Sequence, residues 1–154
     1  MLVRLVALGD RVMHHDESLD AWWAWLLSTG QDYRYDPVYH GPLRIIITAG
    51  LFDVFGDTDT VARILPAFCG LALIGVPWMI RATLGRAGTI AAAVAIAFSP
   101  SLVYFSRFGR EDMTFAFLAT VFSLATVEFF RRPRRWIPPV IGASLAGAAA
   151  VKES

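Results

Sequence analysis

The sequence predicts an all-α, polytopic integral membrane protein with a large outer first loop that carries interfacial helices. Three observations carry that expectation. Of 154 residues, 56% are hydrophobic and 18% charged, against about 25% charged in ordinary soluble domains, and the mean hydropathy is +0.52. The apolar residues gather into runs of membrane-spanning length. The charged residues sit between those runs, arginines in some connections and acids in others.

The elements follow in chain order. Residues 1–9 are apolar apart from Arg4 but fall well short of the ~20 residues that cross a bilayer. They lack the basic start, apolar centre and small-residue cleavage site of a signal peptide, and read as the remnant of a first transmembrane helix. Residues 10–60 form the outer loop. Within it Ser18 is placed to cap a helix through Leu27, which Gly30 ends. That helix is nearly all apolar and carries Trp22, Trp23 and Trp25; indole rings favour the headgroup layer, so it is expected to lie along the membrane surface. A sugar-stacking platform is the other reading of these rings. Pro37, Gly41 and Pro42 interrupt the next stretch. Residues 43–55 are apolar but include Arg44 and Asp53, which suits an interfacial helix better than a spanning one.

Transmembrane helices are expected over about 61–80, 87–105, 113–130 and 136–151. The first contains an uncharged run over 64–80, and the second is held between Arg86 and Arg107. In the third, the charge of Glu128 is four residues before Arg132, the spacing of an exposed helix pair. In the fourth, Gly and Ala over 142–150 suit close helix packing. Its abrupt end at Lys152-Glu153-Ser154, like the short opening run, reads as an N-terminal fragment of a longer membrane protein, one expected to be inactive in isolation.

Arginine placement sets the orientation. The connection 81–86 carries two arginines and no acid, and Arg131-Arg132-Pro133-Arg134-Arg135 carries four; both should face the cytoplasm. Residues 10–60, 106–112 and the Lys152 end then share the outer face of a multi-pass protein of the plasma membrane. The net charge of +1 comes from thirteen arginines and one lysine dispersed between apolar runs, so no nucleic-acid partner is indicated. Cys69 is the single cysteine, which excludes an intrachain disulfide and a CxxC site and leaves it a packing role.

The outer loop opens on His14-His15-Asp16-Glu17-Ser18. Asp16-Glu17, just after the first span, resembles the acidic pair in the first outer loop of dolichyl-phosphate-mannose protein mannosyltransferases, a GT-C superfamily of membrane glycosyltransferases. His40-Gly41-Pro42-Leu43 is similar to their His-Pro-Pro-Leu element, with glycine replacing the first proline. Phe55-Gly56-Asp57 and Ala62-Arg63-Ile64-Leu65-Pro66 with Gly70 look like the approach to that family's second span. Ser99-Pro100, Tyr104, Ser106-Arg107 and Arg110-Glu111-Asp112 resemble the short outer loop after its third span, and Val151-Lys152-Glu153 resembles the lysine that follows its fifth. With Tyr35-Asp36-Pro37-Val38-Tyr39 added, the order of motifs is most similar to the archaeal flippase-activity-associated proteins. The resemblance implies GT-C-like transmembrane helices and a glycosyltransferase of the hexosyl, mannosyltransferase-like kind. Its donor would be a polyprenyl (dolichyl) phosphate sugar used on the outer face, in protein or lipid glycosylation. The alternative is a non-catalytic component associated with flipping of lipid-linked glycans in archaeal N-glycosylation.

The residue types support that chemistry separately. An acceptor hydroxyl must lose a proton as it attacks the anomeric carbon, and the phosphate must leave with its charge stabilised. Asp16 is the first choice for the base and Glu17 the second. Arg107 and Arg110 offer planar forks for the phosphate, and Lys152 or His40 a point charge. His14, His15, Arg63 and Asp112 are supporting candidates.

Each has a plainer reading. Asp16-Glu17 would suit the positive end of the following helix; the histidines would bind headgroups; Arg107 and Arg110 would anchor spans; Arg63 would pair with Asp59 one turn earlier. No cofactor is certain, and a divalent metal is the open candidate. A divalent metal on His14, His15, Asp16, Glu17, His40 and Asp112 lacks a recognised spacing. The expected partners are the bilayer, the lipid-linked sugar and an unknown glycan or protein acceptor.

Overall fold

The computed structural model describes residues 2–34, 36 and 41–152; all regular structure among these is helical, with no strand. A 3-10 turn, Leu2–Arg4, opens the chain, and turns follow it as far as Gly9. Residues 2–9 are thus turns, where a helix remnant was expected. Arg4 explains what fixes them. Its buried guanidinium donates to the carbonyls of Gly70 at 2.9 Å and Ile96 at 2.7 Å, with Leu102 and Ala97 at 3.4 Å. A cation is favoured at Ile96 and Ala97 because the last carbonyls of the helix Arg81–Phe98 have no partner of their own.

Helix α1, His15–Ser28, is capped by His14 and so begins four residues earlier than a Ser18 cap predicts. His14 is the N-cap: its ring nitrogen accepts from the backbone N–H of Asp16, and the Glu17 carboxylate accepts from the backbone N–H of His14. This is a capping box built with histidine in the serine position. Ser18 instead donates to the carbonyl of His15. At the other end Gln31 N–H bonds to the Leu26 carbonyl and Gly30 N–H to that of Leu27, the paired closure of a Schellman motif.

Helix α2, Pro42–Phe55, packs on α1 through Ala24, Ile45, Ala49 and Phe52, joined by Val61 and Ala62 of the short α3, Asp59–Ala62. Trp23 and Trp25 lie against this cluster, so two of the three indoles serve a core, while Trp22 is exposed and stacks on Trp25. Gly41, which precedes α2, is fixed by close approach. Its N–H donates to the Val151 carbonyl at 3.2 Å, and a β-carbon there would overlap the carbonyl of Ala150. Proline could neither donate that bond nor fit.

Two helical stretches are long and apolar enough to cross a membrane, Ile64–Phe98 and Glu111–Arg131; Ile137–Val151 is apolar but shorter. The first comprises α4, Ile64–Gly75, a 3-10 segment Val76–Ile80 and α5, Arg81–Phe98. Pro77 withdraws a donor and the helix tightens around it. At Gly85 the backbone takes φ 68° and ψ 175°, which breaks the helix and lets α5 pack back along α4. The span expected over 87–105 is divided: Ser99 leaves helical geometry at ψ 117°, as a residue before proline tends to, and α6, Pro100–Ser106, starts anew.

Helix α7, Glu111–Arg131, has 21 residues, about 30 Å at 1.5 Å per residue, close to the hydrocarbon thickness of a bilayer. It packs on α4 and the 3-10 segment through Met113, Cys69, Leu73 and Val76, so Cys69 is a core residue. It pairs with α8, Ile137–Val151, where Gly147 lies against Leu118. Glu128 does not form the exposed pair with Arg132 that its spacing suggests. Its side chain is buried, and Oε2 has no hydrogen-bond partner.

Candidate active site

The loop before α1, the loop 107–110 between α6 and α7, and the end of α8 meet at one end of the helices. Glu17 holds the first two together. It is 1% exposed, and donors cover both of its oxygens. Oε1 accepts from Arg63 Nε at 2.9 Å and from the backbone N–H of Gly109; Oε2 accepts from Arg63 at 3.2 Å, Arg11 at 2.9 Å and the N–H of His14 at 3.0 Å. Burial would raise the proton affinity of this carboxyl. The Arg63 hydrogen bonds, the N–H groups of His14 and Gly109, and the Arg63 charge outweigh it and bring the pKa from 4.5 down to about 2. Arg63 is itself fully buried and also donates to the carbonyls of Leu8 and Arg11. Its partner is therefore Glu17, 46 residues away, and not Asp59.

Asp16, next to Glu17, meets the same loop one residue further on and is 39% exposed. Its Oδ2 lies 2.7 Å from Arg110, which also reaches Glu111 at 3.1 Å and comes within 3.9 Å of Asp112. Asp112 in turn is 3.7 Å from Lys152. Asp16, Arg110, Asp112 and Lys152 thus form a line of alternating charge, each side chain between 28% and 39% exposed, open enough for a ligand to compete for it. Burial opposes the charge on Arg110, but Glu111, Asp112 and Asp16 together raise its pKa.

The other candidates are placed as follows. His14 caps α1, packs its ring 5.8 Å from that of Phe108 and stands 3.8 Å from Asp16. His15 is exposed in the first turn. Arg107 is taken up elsewhere: its guanidinium donates to the carbonyls of Val3, Val6 and Ala7 and straps the opening turns to α6. His40 lies outside the described residues. Among the described residues no group of three or more His, Cys, Asp or Glu is arranged to hold a metal ion.

Two members of the network escape sequence reasoning. Arg44 of α2 is buried, pairs with Asp20 of α1 and donates to the carbonyl of Gly109. Arg11 stacks over the Phe108 ring at 5.0 Å while it binds Glu17. The one arginine in the apolar first turns of α2 is the available signal for Arg44, since such a charge must find a partner. Asp20, four residues after Asp16, stands on the same face of α1.

Residues 39–154 match the model of the family described as dolichyl-phosphate-mannose-protein mannosyltransferase. The chain belongs to this family. It is a membrane protein of the glycosyltransferase, mannosyltransferase-like kind, and the family implies a lipid-linked sugar as donor. The matched residues include Arg63, Arg107, Arg110, Asp112 and Lys152, whereas Asp16 and Glu17 precede them. No curated protein and no solved structure matches the chain. The mannosyltransferase family assignment therefore rests on the part of the chain that supplies the cationic side of the site. The acidic side is joined to it by Glu17 and Asp16.

Proposed function

We propose that the chain forms the donor-facing part of a multi-pass membrane glycosyltransferase that takes a sugar from a polyprenyl phosphate on the outer face of the plasma membrane, with Asp16 as the base. One observation carries this reading: of the two adjacent acids, Asp16 is accessible and meets Arg110, while Glu17 is buried and saturated with donors. The acceptor hydroxyl gives its proton to Asp16 as its oxygen bonds to the anomeric carbon. The bond from that carbon to the phosphate oxygen breaks, and the electron pair leaves with the phosphate, where Arg110 and Lys152 balance the charge. Glu17 and Arg63 are positioning residues in this scheme, and Arg107 holds the opening turns. The outer-face assignment rests on the arginines of 81–86 and 131–135, which lie at the end of α7 away from Asp16.

The test is Asp16→Asn in the intact protein, assayed for sugar transfer from dolichyl-phosphate mannose. Transfer is expected to be lost with expression and membrane insertion unchanged; normal transfer removes Asp16 from the base role. The reading as a non-catalytic partner in glycan flipping draws on the order of motifs around His14 and Tyr35. It predicts unchanged glycan composition in Asp16→Asn and donor trapped on the cytoplasmic leaflet on deletion. Sidedness is checked with His15→Cys and Pro133→Cys after Cys69 is replaced: an impermeant thiol reagent should label the first only.

A further inference from the structure

At the end of α7 remote from Asp16, the connection 81–86 and the connection after Arg131 enclose a cavity of about 910 Å³. Arg81, Arg86, Arg132 and Arg134 line it, with Trp136 and the buried carboxylate of Glu128. Its walls are fixed by one contact between the two connections, Arg131 to Thr83, and by two local ones around the first. Arg131 donates to Thr83 at 2.8 Å, Thr89 donates to the Gly85 carbonyl at 2.7 Å, and Arg81 stacks 5.5 Å over Trp78. Trp78, Thr89 and Ile90 also line a second, apolar hollow of about 300 Å³, which continues along α5 past Val94 to Phe98. From Ile90 to Phe98 is about 12 Å of helix. A largely apolar chamber rimmed by cations thus opens into an apolar groove.

We propose that this composite cavity binds an anionic membrane phospholipid, with the phosphodiester among the arginines, one acyl chain along α5, and a headgroup hydroxyl or ammonium donating to Glu128. Three features favour that occupant. Four guanidinium groups against one carboxylate leave a net positive chamber that suits a phosphate. Glu128 Oε2 is buried without a hydrogen-bond partner, an arrangement that calls for a donor. A fully ionised polyprenyl phosphate without its sugar lacks such a donor; a glycerol headgroup has one. Finally, α7 is about as long as the hydrocarbon layer is thick, so the cavity falls at the headgroup level opposite the Asp16 site, with Trp78 and Trp136 exposed beside it.

Native mass spectrometry of the intact protein, stripped of lipid in detergent and titrated with defined lipids, tests this. Phosphatidylglycerol should be retained in preference to phosphatidylcholine. Arg86→Gln with Arg134→Gln should weaken its binding by about thirtyfold, from ~1 kcal/mol per arginine. Arg86→Lys with Arg134→Lys should keep most of it, which separates loss of charge from misfolding. Glu128→Met should abolish the preference for phosphatidylglycerol over phosphatidic acid, and Arg34→Gln, in the first loop, should change nothing. Equal binding of phosphatidylcholine, displacement by polyprenyl phosphate, unaltered binding in the double glutamine variant, or no retained lipid would each overturn the proposal.

Discussion

Glu17 and Arg63 stand 2.9 Å apart with both side chains withdrawn from solvent, although 46 residues separate them in the chain. Their contact binds the start of α1 to the start of α4, and Gly109 is held by the same carboxylate. Removing either partner leaves a buried charge uncompensated, so Glu17→Ala or Arg63→Met should each destabilise by about 3–5 kcal/mol. The double replacement should cost less than the sum. Thermal unfolding of the four forms in detergent measures this as a double-mutant cycle.

The same carboxylate sets an acid limit. Its pKa is near 2 in the fold against 4.5 ordinarily, so between those values the unfolded chain binds more protons and stability rises with pH. The contribution is complete above about 4.5 and is lost as pH falls toward about 2. Melting temperatures recorded from pH 7 to pH 3 should fall below about 4.5 in the wild type. In Glu17→Gln, which starts lower, the same interval should show a shallower slope.

Arg110 touches Asp16 and Glu111 with two different nitrogens of one planar group. Lysine offers a single point charge and cannot span both. Arg110→Lys should therefore lower kcat for transfer, and Arg110→Met should lower it further, on the order of 10² or more. Arg107→Lys should act mainly on stability, because its bonds go to the opening turns. Kinetics and melting temperature measured on both variants separate the two roles.

Gly41→Pro would recreate the His-Pro-Pro-Leu sequence of the relatives, yet it should harm this protein. The change removes the N–H bonded to Val151 and crowds Ala150. A buried carbonyl losing its donor costs about 1–3 kcal/mol. The melting temperature should drop, and Gly41→Ala, which keeps the N–H but adds the methyl, should drop too.

The sequence reveals well what depends on composition along the chain. The apolar runs delimited by Arg81, Arg86 and Arg131 announce the helical reversals, and the packing of Cys69 follows from its apolar surroundings. Ser18 misleads because serine outranks histidine as a helix cap, whereas here the ring of His14 is steadied by Phe108 from a distant loop. Glu128 misleads for a related reason: its spacing to Arg132 suits an exposed pair, but α7 turns that side chain inward. Within the site, Asp16, Arg110 and Lys152 announce themselves as charges near apolar runs. The difference in burial between Asp16 and Glu17 does not, because Arg63 and Gly109 reach Glu17 across 46 and 92 residues without any local pattern.

Those separations also impose a timetable. Arg107 and Gly109 reach back about a hundred residues to the opening turns and to Glu17. At ribosomal rates of about 5–20 residues per second, some 5–20 seconds pass between synthesis of Glu17 and arrival of its Gly109 partner. During that interval the loop bearing Asp16 has Arg11 and Arg63 as partners for Glu17 but lacks its ties to Gly109 and Arg110. An enzyme that must cross or enter the bilayer as it is synthesised thus acquires its shape at the acidic end only after α6 has been delivered, which makes insertion of the middle helices the step that completes the first loop.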